Sequence, residues 1–307
     1  FSCAGRRSRR RDYNGGMRIG LTTTVPVEIV YAAGHTPVDL NNLFMSHPDP
    51  PRLVEEAELA GFPRNFCAWV KGIYGAVKLC GGIDALLAVT QGDCSNTRAL
   101  METLEAEGME VIPFAYPYEP DRLSLQGEME KLMRRLGAGW DEVREAERWL
   151  DGVRRRVWEV DRLCWEEGRV SGAEAHLLQV SCSDMEGDPD AFAAKVEAAL
   201  ERAGSRASWV SEGGVPIGVR LGYAGVPPIA PEMFGFLEEL GVRVVFHEVQ
   251  RQFTLPREGE GDLVERYLAF TYPYPVFRRL RELKAECEQR LGAPLAARTG
   301  DALEVLR

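Results

Sequence analysis

Apolar runs and helix-like spacings of apolar residues alternate along the first third of the chain. The run Arg18–Leu21 predicts a short strand, and Val27, Val30 and Tyr31 then share one face of a helix that Thr24 is expected to cap. The same alternation predicts strands at Thr36–Leu40, Ile83–Thr90 and Met109–Phe114 and helices at Pro51–Ala60, Ala68–Cys80 and Ser95–Gly108. Repeated strand–helix–strand units form parallel sheets, so an α/β domain is expected here.

The middle of the chain changes character. Residues 121–177 are charged and strongly helical, and Ser171–Glu174 has the form of a capping box. A second alternation follows, with predicted strands at Pro216–Tyr223 and Val242–Val249 and helices at Asp190–Ala203, Pro231–Leu240 and most of Asp262–Glu288. The expected organisation is a disordered tail or upstream sequence at 1–16, a first domain at 17–120, a helical connecting segment at 121–187 and a second domain at 188–307.

Charge and hydropathy narrow the class of protein. The net charge of −10 disfavours a nucleic-acid backbone as a partner, and no apolar run approaches the ~20 residues that cross a bilayer. The first sixteen residues carry five arginines and no apolar core, unlike a secretory signal. The seven cysteines are irregularly spaced, which favours a reducing compartment. We therefore expect a cytoplasmic protein that binds neither membrane nor nucleic acid.

Two cysteines lie where a loop meets a regular element. Cys67 ends a Pro-containing loop before a predicted helix, and Cys94 follows a predicted strand. Ligands of open α/β folds bind in the crevice at the carboxyl ends of the strands. Two thiols at such positions suggest a cofactor held by thiolates, with iron–sulfur and zinc as candidates, the alternative being loop thiols without a role.

The remaining cysteines and histidines give weaker signals. Cys80, Cys164 and Cys182, which follows a predicted helix, are expected to be structural, and Cys287, in a charged helix, is expected to be exposed and inert. The four histidines have no zinc-site spacing. Among them His247, at the end of an apolar strand, is the one most apt to face a crevice, although a structural role is the simpler interpretation.

Four segments carry a resemblance to a known family. These are TTTVPVEIVYAAGHTPVDLNN, GFPRNFCAWVKGIYG, VTQGDCSNT and IPFAYP, and they resemble the 2-hydroxyacyl-CoA dehydratase family. The resemblance is to the group of the 2-hydroxyglutaryl-CoA dehydratase D-component, related to benzoyl-CoA reductase subunits and double-cubane cluster proteins. It continues more loosely through SDMEGDP, RVVFHEVQRQF and YPYPVF.

The resemblance implies a fold, a cofactor and partners. Family members have two Rossmann-like parallel-sheet domains and bind a [4Fe–4S] or larger iron–sulfur cluster through three cysteines, with one iron left open. Cys67 and Cys94 match the first two ligand positions. The residues expected around them, in the pocket or behind the ligands, are Asn65, Trp69, Lys71, Ser95 and Asn96. An ATP-dependent iron–sulfur activator would supply an electron for radical (ketyl) elimination of water from a CoA thioester, in a homodimer or with a homologous second subunit.

The third ligand is where this sequence departs from the family. The family's third cysteine comes late, in a strand of the second domain, and here the second domain is expected to be shortened at its C-terminus without such a residue. Cys287, Cys182, His247 or a second subunit remain as candidates. The protein is thus expected to be a lyase if the cluster is complete. The alternatives are a reductase or electron-transfer protein of double-cubane type and a truncated member without a complete cluster.

Overall fold

The computed structural model describes residues 16–210, 217–228, 230, 232–254, 261–270, 284–286 and 288–291. The chain divides into two compact units. Unit 1 comprises Phe1–Asp151, Ser183–Asp190 and Glu260–Leu268, and unit 2 comprises Gly152–Cys182, Ala191–Gly259 and Ala269–Arg307. The domain boundaries expected from the sequence stay a prediction beside this division.

Unit 1 contains a four-stranded sheet in which every pair of neighbours is parallel. Its strands are Arg18–Leu21 (β1), Thr36–Asp39 (β2), Ala85–Gln91 (β3) and Glu110–Ala115 (β4), in the order β2-β1-β3-β4. The α/β class and the parallel sheet predicted from the alternation are confirmed.

Helices connect these strands and continue through the rest of the chain. They are Val27–Ala32 (α1), Leu40–Met45 (α2), Pro50–Leu59 (α3), Ala68–Cys80 (α4), Asn96–Ala106 (α5), Arg122–Leu136 (α6), Trp140–Trp165 (α7), Gly172–Val180 (α8), Pro189–Ser205 (α9), Glu232–Glu239 (α10) and Leu263–Leu268 (α11). Short 3₁₀ turns lie at Ser181–Ser183, Met185–Gly187 and Gln250–Thr254. No helix in the described ranges is both long and apolar enough to cross a membrane.

The start of α1 differs from the sequence prediction. Pro26, not Thr24, occupies the N-cap position, and no side chain caps the helix. Thr24 is buried in the preceding loop, where its carbonyl accepts a hydrogen bond from the Tyr116 hydroxyl (3.0 Å). The chain turns into the helix only at Pro26 because the loop is held in place upstream. The predicted cap at Ser171 is confirmed, since its side chain accepts from the Glu174 N–H.

Two glycines in α4 allow close packing in unit 1. A Cβ added at Gly75 would lie 2.1 Å from the carbonyl oxygen of Leu53 in α3, and one at Gly72 would lie 2.3 Å from the Phe44 ring in α2. The sequence suggested that these glycines let a cluster or another backbone approach. The groups that approach are the backbone of α3 and an aromatic ring.

Unit 2 contains two parallel strands, Val219–Tyr223 (β5) and Val242–His247 (β6). α8 and α10 both pack on β6. Of the helix predicted at Asp262–Glu288, the structure gives α11, and residues 271–283 lie outside the described ranges.

Candidate functional site

The order of the strands defines a crevice at the carboxyl edge of the unit 1 sheet. β2 lies on one side of β1 and β3 on the other, so the chain connections leave in opposite directions between β1 and β3. In doubly wound sheets ligands bind at such a switch point. Thr22 follows β1 directly, and Gly92–Cys94 follow β3.

Cys94 lies at this edge, just before α5. It is an exposed free thiol, and its Sγ accepts a hydrogen bond from the backbone N–H of Asn96 (3.4 Å). Its own N–H donates to Asp93 Oδ1 (2.7 Å). Ser95 is exposed and Asn96 half-buried. The sulfur is therefore accessible and oriented by the first turn of a helix.

Cys67 occupies the N-cap position of α4. It is a half-buried free thiol that packs against the hydrophobic core cluster of α4 and β3, and its side chain makes no cap hydrogen bond. Residues 81–84 join α4 to β3 by a short connection, so α4 begins near the carboxyl end of the strand and ends near its amino end. The fold thus places both thiols at the same edge of the sheet.

Asp93 holds the Cys94 loop, and the sequence interpretation missed it. Besides the Cys94 N–H, its carboxylate accepts from the Thr97 hydroxyl (2.9 Å), and it lies beside the Thr22 side chain. Burial raises the pKa of Asp93, and the Cys94 N–H and the Thr97 and Thr22 side chains oppose the rise. A half-buried carboxylate here disfavours the phosphate groups that many doubly wound sheets bind at their switch point. The pattern of Asp before Cys and Thr four residues later was the available local signal.

Lys71 is the most deeply buried of the residues expected around the thiols. It is 2% exposed, and its Nζ lies 2.6 Å from Glu58 Oε1 and 3.0 Å from the Arg64 carbonyl. This ammonium therefore ties the loop that carries Cys67 to the end of α3. Asn65, in the same loop, is exposed. Trp69 is half-buried, and its indole Nε1 donates to Asn41 Oδ1 (2.5 Å).

Two of the three candidate residues for a third metal ligand lie in unit 2, and the other lies outside the described residues. Cys182 is buried in unit 2, and its Sγ lies 3.5 Å from the Leu178 carbonyl. His247 is buried in the same unit, and burial, with a smaller effect of His176, lowers its pKa to about 3. Cys287 lies outside the described residues.

The donor set fits an iron–sulfur cluster in part. Cys67 and Cys94 provide two thiols at one edge of unit 1, and thiolates are the ligands that such clusters take. Among the described residues no group of three or more His, Cys, Asp or Glu side chains is arranged to hold a metal ion. The described residues therefore offer two thiols at this edge, one fewer than the three ligands that the resemblance implies.

Two buried carboxyl groups meet beside the edge strand β2. Asp184 Oδ2 accepts from the backbone N–H of Asp39 (2.7 Å), and the Ser183 hydroxyl donates to the Asp39 carboxylate. Burial raises the pKa of Asp39, and burial together with the Asp39 charge raises the pKa of Asp184 to about 7. Met185 and Glu186, which follow, have positive φ angles of 50° and 57°. Such angles cost about 1 kcal/mol or more each in non-glycine residues, so the contacts with β2 must hold this turn in place.

The Asp184 carboxyl group predicts a pH-dependent stability. Between the unfolded pKa near 4 and the folded pKa of about 7, the folded protein binds a proton that the unfolded chain lacks, so stability falls as pH rises. Asp184→Asn removes this titration but also one acceptor of the backbone hydrogen bonds. We expect the variant to be less stable than wild type at pH 5 and the difference to narrow or reverse at pH 8, as measured by urea unfolding.

The control for this prediction is Glu105→Gln, which removes an exposed carboxyl group from α5. It is expected to follow wild type at both pH values. An Asp184→Asn deficit of the same size at pH 5 and pH 8 would contradict the assignment of the titration to this carboxyl group.

Comparison with known proteins identifies the family of this chain. A search of curated proteins gives no match. The family model described as 2-hydroxyglutaryl-CoA dehydratase, D-component, matches residues 22–290. This range covers most of the chain and includes both thiol loops and the strained turn beside β2. The chain therefore belongs to the family of the 2-hydroxyglutaryl-CoA dehydratase D-component.

Proposed function

We propose that this protein is an iron–sulfur dehydratase that removes water from a 2-hydroxyacyl-CoA thioester. One observation carries the proposal furthest. Cys67 and Cys94 lie at the carboxyl edge of the parallel sheet, each at the start of a helix, within the range matched by the family. The expected cofactor is a [4Fe–4S] or larger iron–sulfur cluster.

The chemistry of the reaction explains the need for an electron. The β-proton of a 2-hydroxyacyl thioester is not acidic, and its hydroxyl is a poor leaving group. One electron added to the thioester carbonyl gives a ketyl radical, which expels hydroxide and makes the β-proton removable. The electron is then returned, so the net change is loss of water. A bound cluster would supply low-potential electron transfer and an open iron for a substrate oxygen.

The residues of this chain would hold and orient the cofactor. Cys67 and Cys94 would be ligands, and the Asn96 N–H that donates to Cys94 Sγ would orient that sulfur. Lys71 would keep the Cys67 loop against α3 through its contacts with Glu58 and the loop backbone. Asn65, Trp69, Ser95 and Asn96 remain proposed as pocket residues.

The partners follow from the same proposal. An ATP-dependent iron–sulfur activator would deliver the electron, and a homologous second subunit or a second copy of the chain would complete the enzyme. The third ligand would come from Cys287, Cys182, His247 or that second subunit. We also propose that unit 2, with its parallel pair β5 and β6, is a second Rossmann-like domain.

A second candidate function is electron transfer or reduction by a protein of double-cubane type, or a family member without a complete cluster. The observation that favours it is the ligand count. The described residues bring only two thiols of the expected set to the carboxyl edge of the sheet. Dehydration of 2-hydroxyglutaryl-CoA by the anaerobic protein, supplied with activator, ATP and reductant, would separate the two functions, because an electron-transfer protein would release no unsaturated thioester.

Cluster binding is the prediction on which the proposal depends. After anaerobic reconstitution, wild type is expected to hold about four irons and four sulfides per cluster, with an EPR signal on reduction. Cys67→Ser and Cys94→Ser are expected to lose most of the iron, because a serine hydroxyl is a poor substitute for a thiolate. Iron and sulfide analysis of each variant checks this.

Cys80→Ser is the matched control. Cys80 is a half-buried cysteine at the opposite end of α4 from Cys67. The variant is expected to keep its iron. Near-zero iron in reconstituted wild type would overturn the proposal, and equal iron in Cys94→Ser and wild type would remove Cys94 from the ligand set.

A further inference from the structure

A chain of polar contacts joins the two loops that carry the thiols. The Trp69 indole, two residues after Cys67, donates to the Asn41 side chain, which donates to the Thr22 carbonyl (2.9 Å). The Thr22 side chain lies beside the Asp93 carboxylate, which accepts from the Cys94 N–H. We infer that Asn41 is a positioning residue that couples the Cys67 loop to the Cys94 loop through this chain. The inference rests on the proposed function for the role of the two thiols.

Asn41 is suited to this role because both polar atoms of its side-chain amide, Oδ1 and Nδ2, have hydrogen-bond partners. Its Oδ1 accepts from Trp69, while Nδ2 donates to the Thr22 carbonyl and to Asp39 Oδ1 (2.9 Å). The backbone N–H of Asn41 also donates to Asp39 Oδ1 (2.8 Å). Asp39 itself is 3% exposed and caps α2. Because the amide oxygen and both amide N–H groups have partners, the amide is held in one orientation. The Asn41 side chain therefore fixes the distance between Trp69 and Thr22.

Thr22 carries the link to the other loop. It is 4% exposed, and its Oγ1 accepts from the backbone N–H of Val89 in β3 (3.1 Å). Since that oxygen also contacts Asp93, the hydroxyl proton is available for the carboxylate. Asp93 then holds both Cys94 and Thr97, at the first turn of α5. The two strands at the switch point and both thiol loops are therefore connected by side chains, not only by the sheet.

The consequence is that neither loop moves alone. A displacement at the start of α4 changes the position of the Trp69 indole, and the chain transmits it to Asp93 and Cys94. The relative placement of the thiols is then set before any cofactor binds, which is how supporting residues preorganise a metal site.

Amide hydrogen exchange of the cofactor-free protein tests the coupling. Asn41→Ala is expected to raise the exchange rate of the Cys94 amide about tenfold, although residue 41 does not hydrogen-bond Cys94 in the structure, because the support of Asp93 is loosened. Trp69→Phe keeps an aromatic ring and removes only the indole donor, and it is expected to raise the same rate by a smaller factor. The Trp69→Phe variant therefore tests the coupling even if Asn41→Ala fails to fold.

Two substitutions at Thr22 form a matched pair of variants, one without the hydroxyl and one with it. Thr22→Val keeps the shape and removes the hydroxyl, whereas Thr22→Ser keeps the hydroxyl, so Thr22→Val is expected to accelerate Cys94 exchange and Thr22→Ser to restore the wild-type rate. In reconstituted protein the EPR signal is expected to change in Thr22→Val and not in Thr22→Ser. Wild-type exchange at Cys94 in Asn41→Ala, Trp69→Phe and Thr22→Val would overturn the coupling. The exchange result does not depend on iron, so it is distinct from failure of the proposed function.

Discussion

Gly75→Ala is expected to destabilise the protein by at least about 3 kcal/mol, because it overpacks the interface of α3 and α4. The added Cβ would lie 2.1 Å from the Leu53 carbonyl oxygen and 2.6 Å from its Cα. These are backbone atoms, so no change of side-chain rotamer relieves the clash. The two helices must move apart, and Leu53, which is fully buried, moves with them.

Urea unfolding monitored by circular dichroism measures the effect, and Gly127→Ala is the control. Gly127 lies inside α6 with no atom within 4 Å of an added Cβ. This variant is expected to gain about 0.5–1 kcal/mol, because glycine is a poor helix former. If Gly75→Ala were as stable as wild type, α3 and α4 would not pack as closely as the structure shows.

Arg266→Met is expected to cost about 3–5 kcal/mol, since it removes the guanidinium that pairs with the buried Asp151 and the half-buried Glu147. Arg266 in α11 contacts Asp151 through two hydrogen bonds of 2.9 Å and Glu147 through one of 2.5 Å, and its side chain is 6% exposed. Burial raises the pKa of Glu147, Arg266 opposes the rise, and the charges of Glu28 and Asp151 add to it.

The deficit of Arg266→Met is expected to shrink as pH falls. Without the guanidinium, the folded-state pKa of Glu147, which burial already raises, rises further, so the folded state gains stability on protonation and loses it as pH rises. Arg144→Met is the control, because its partner Asp141 is 93% exposed and such pairs contribute about 0–1 kcal/mol. Equal stability losses in the two variants at pH 7, measured by urea unfolding, would contradict the assignment.

The local pattern of apolar and polar residues was sufficient to predict most of the elements of unit 1. Apolar runs and helical spacings located all four strands, with β3 two residues further on than expected at its start. The helix α2 was missed, because Leu40–Met45 is short and its N-cap Asp39 and first residue Leu40 were both assigned to the predicted strand Thr36–Leu40. In the second half, β5 was expected from Pro216 and begins at Val219.

One part of the candidate site can be recognised from neighbouring residues in the sequence, and the other part depends on contacts between residues far apart in the sequence. Cys67 and Cys94 could be named from the sequence because each lies at the boundary of an element within a recognisable motif. Asn41 and Asp184 could not, because Asn41 acts on Trp69, 28 residues away, and Asp184 on Asp39, 145 residues away. Only the folded chain brings such partners together.

The composition of unit 1 from three chain segments has a consequence for its biosynthesis. Asp39 hydrogen-bonds Asp184, and Asp151 hydrogen-bonds Arg266, residues that follow them by 145 and 115 positions. On the ribosome the nascent chain therefore exposes the sheet of unit 1 long before these partners have been translated. The amino-terminal unit, although made first, completes its packing only when most of unit 2 has also emerged.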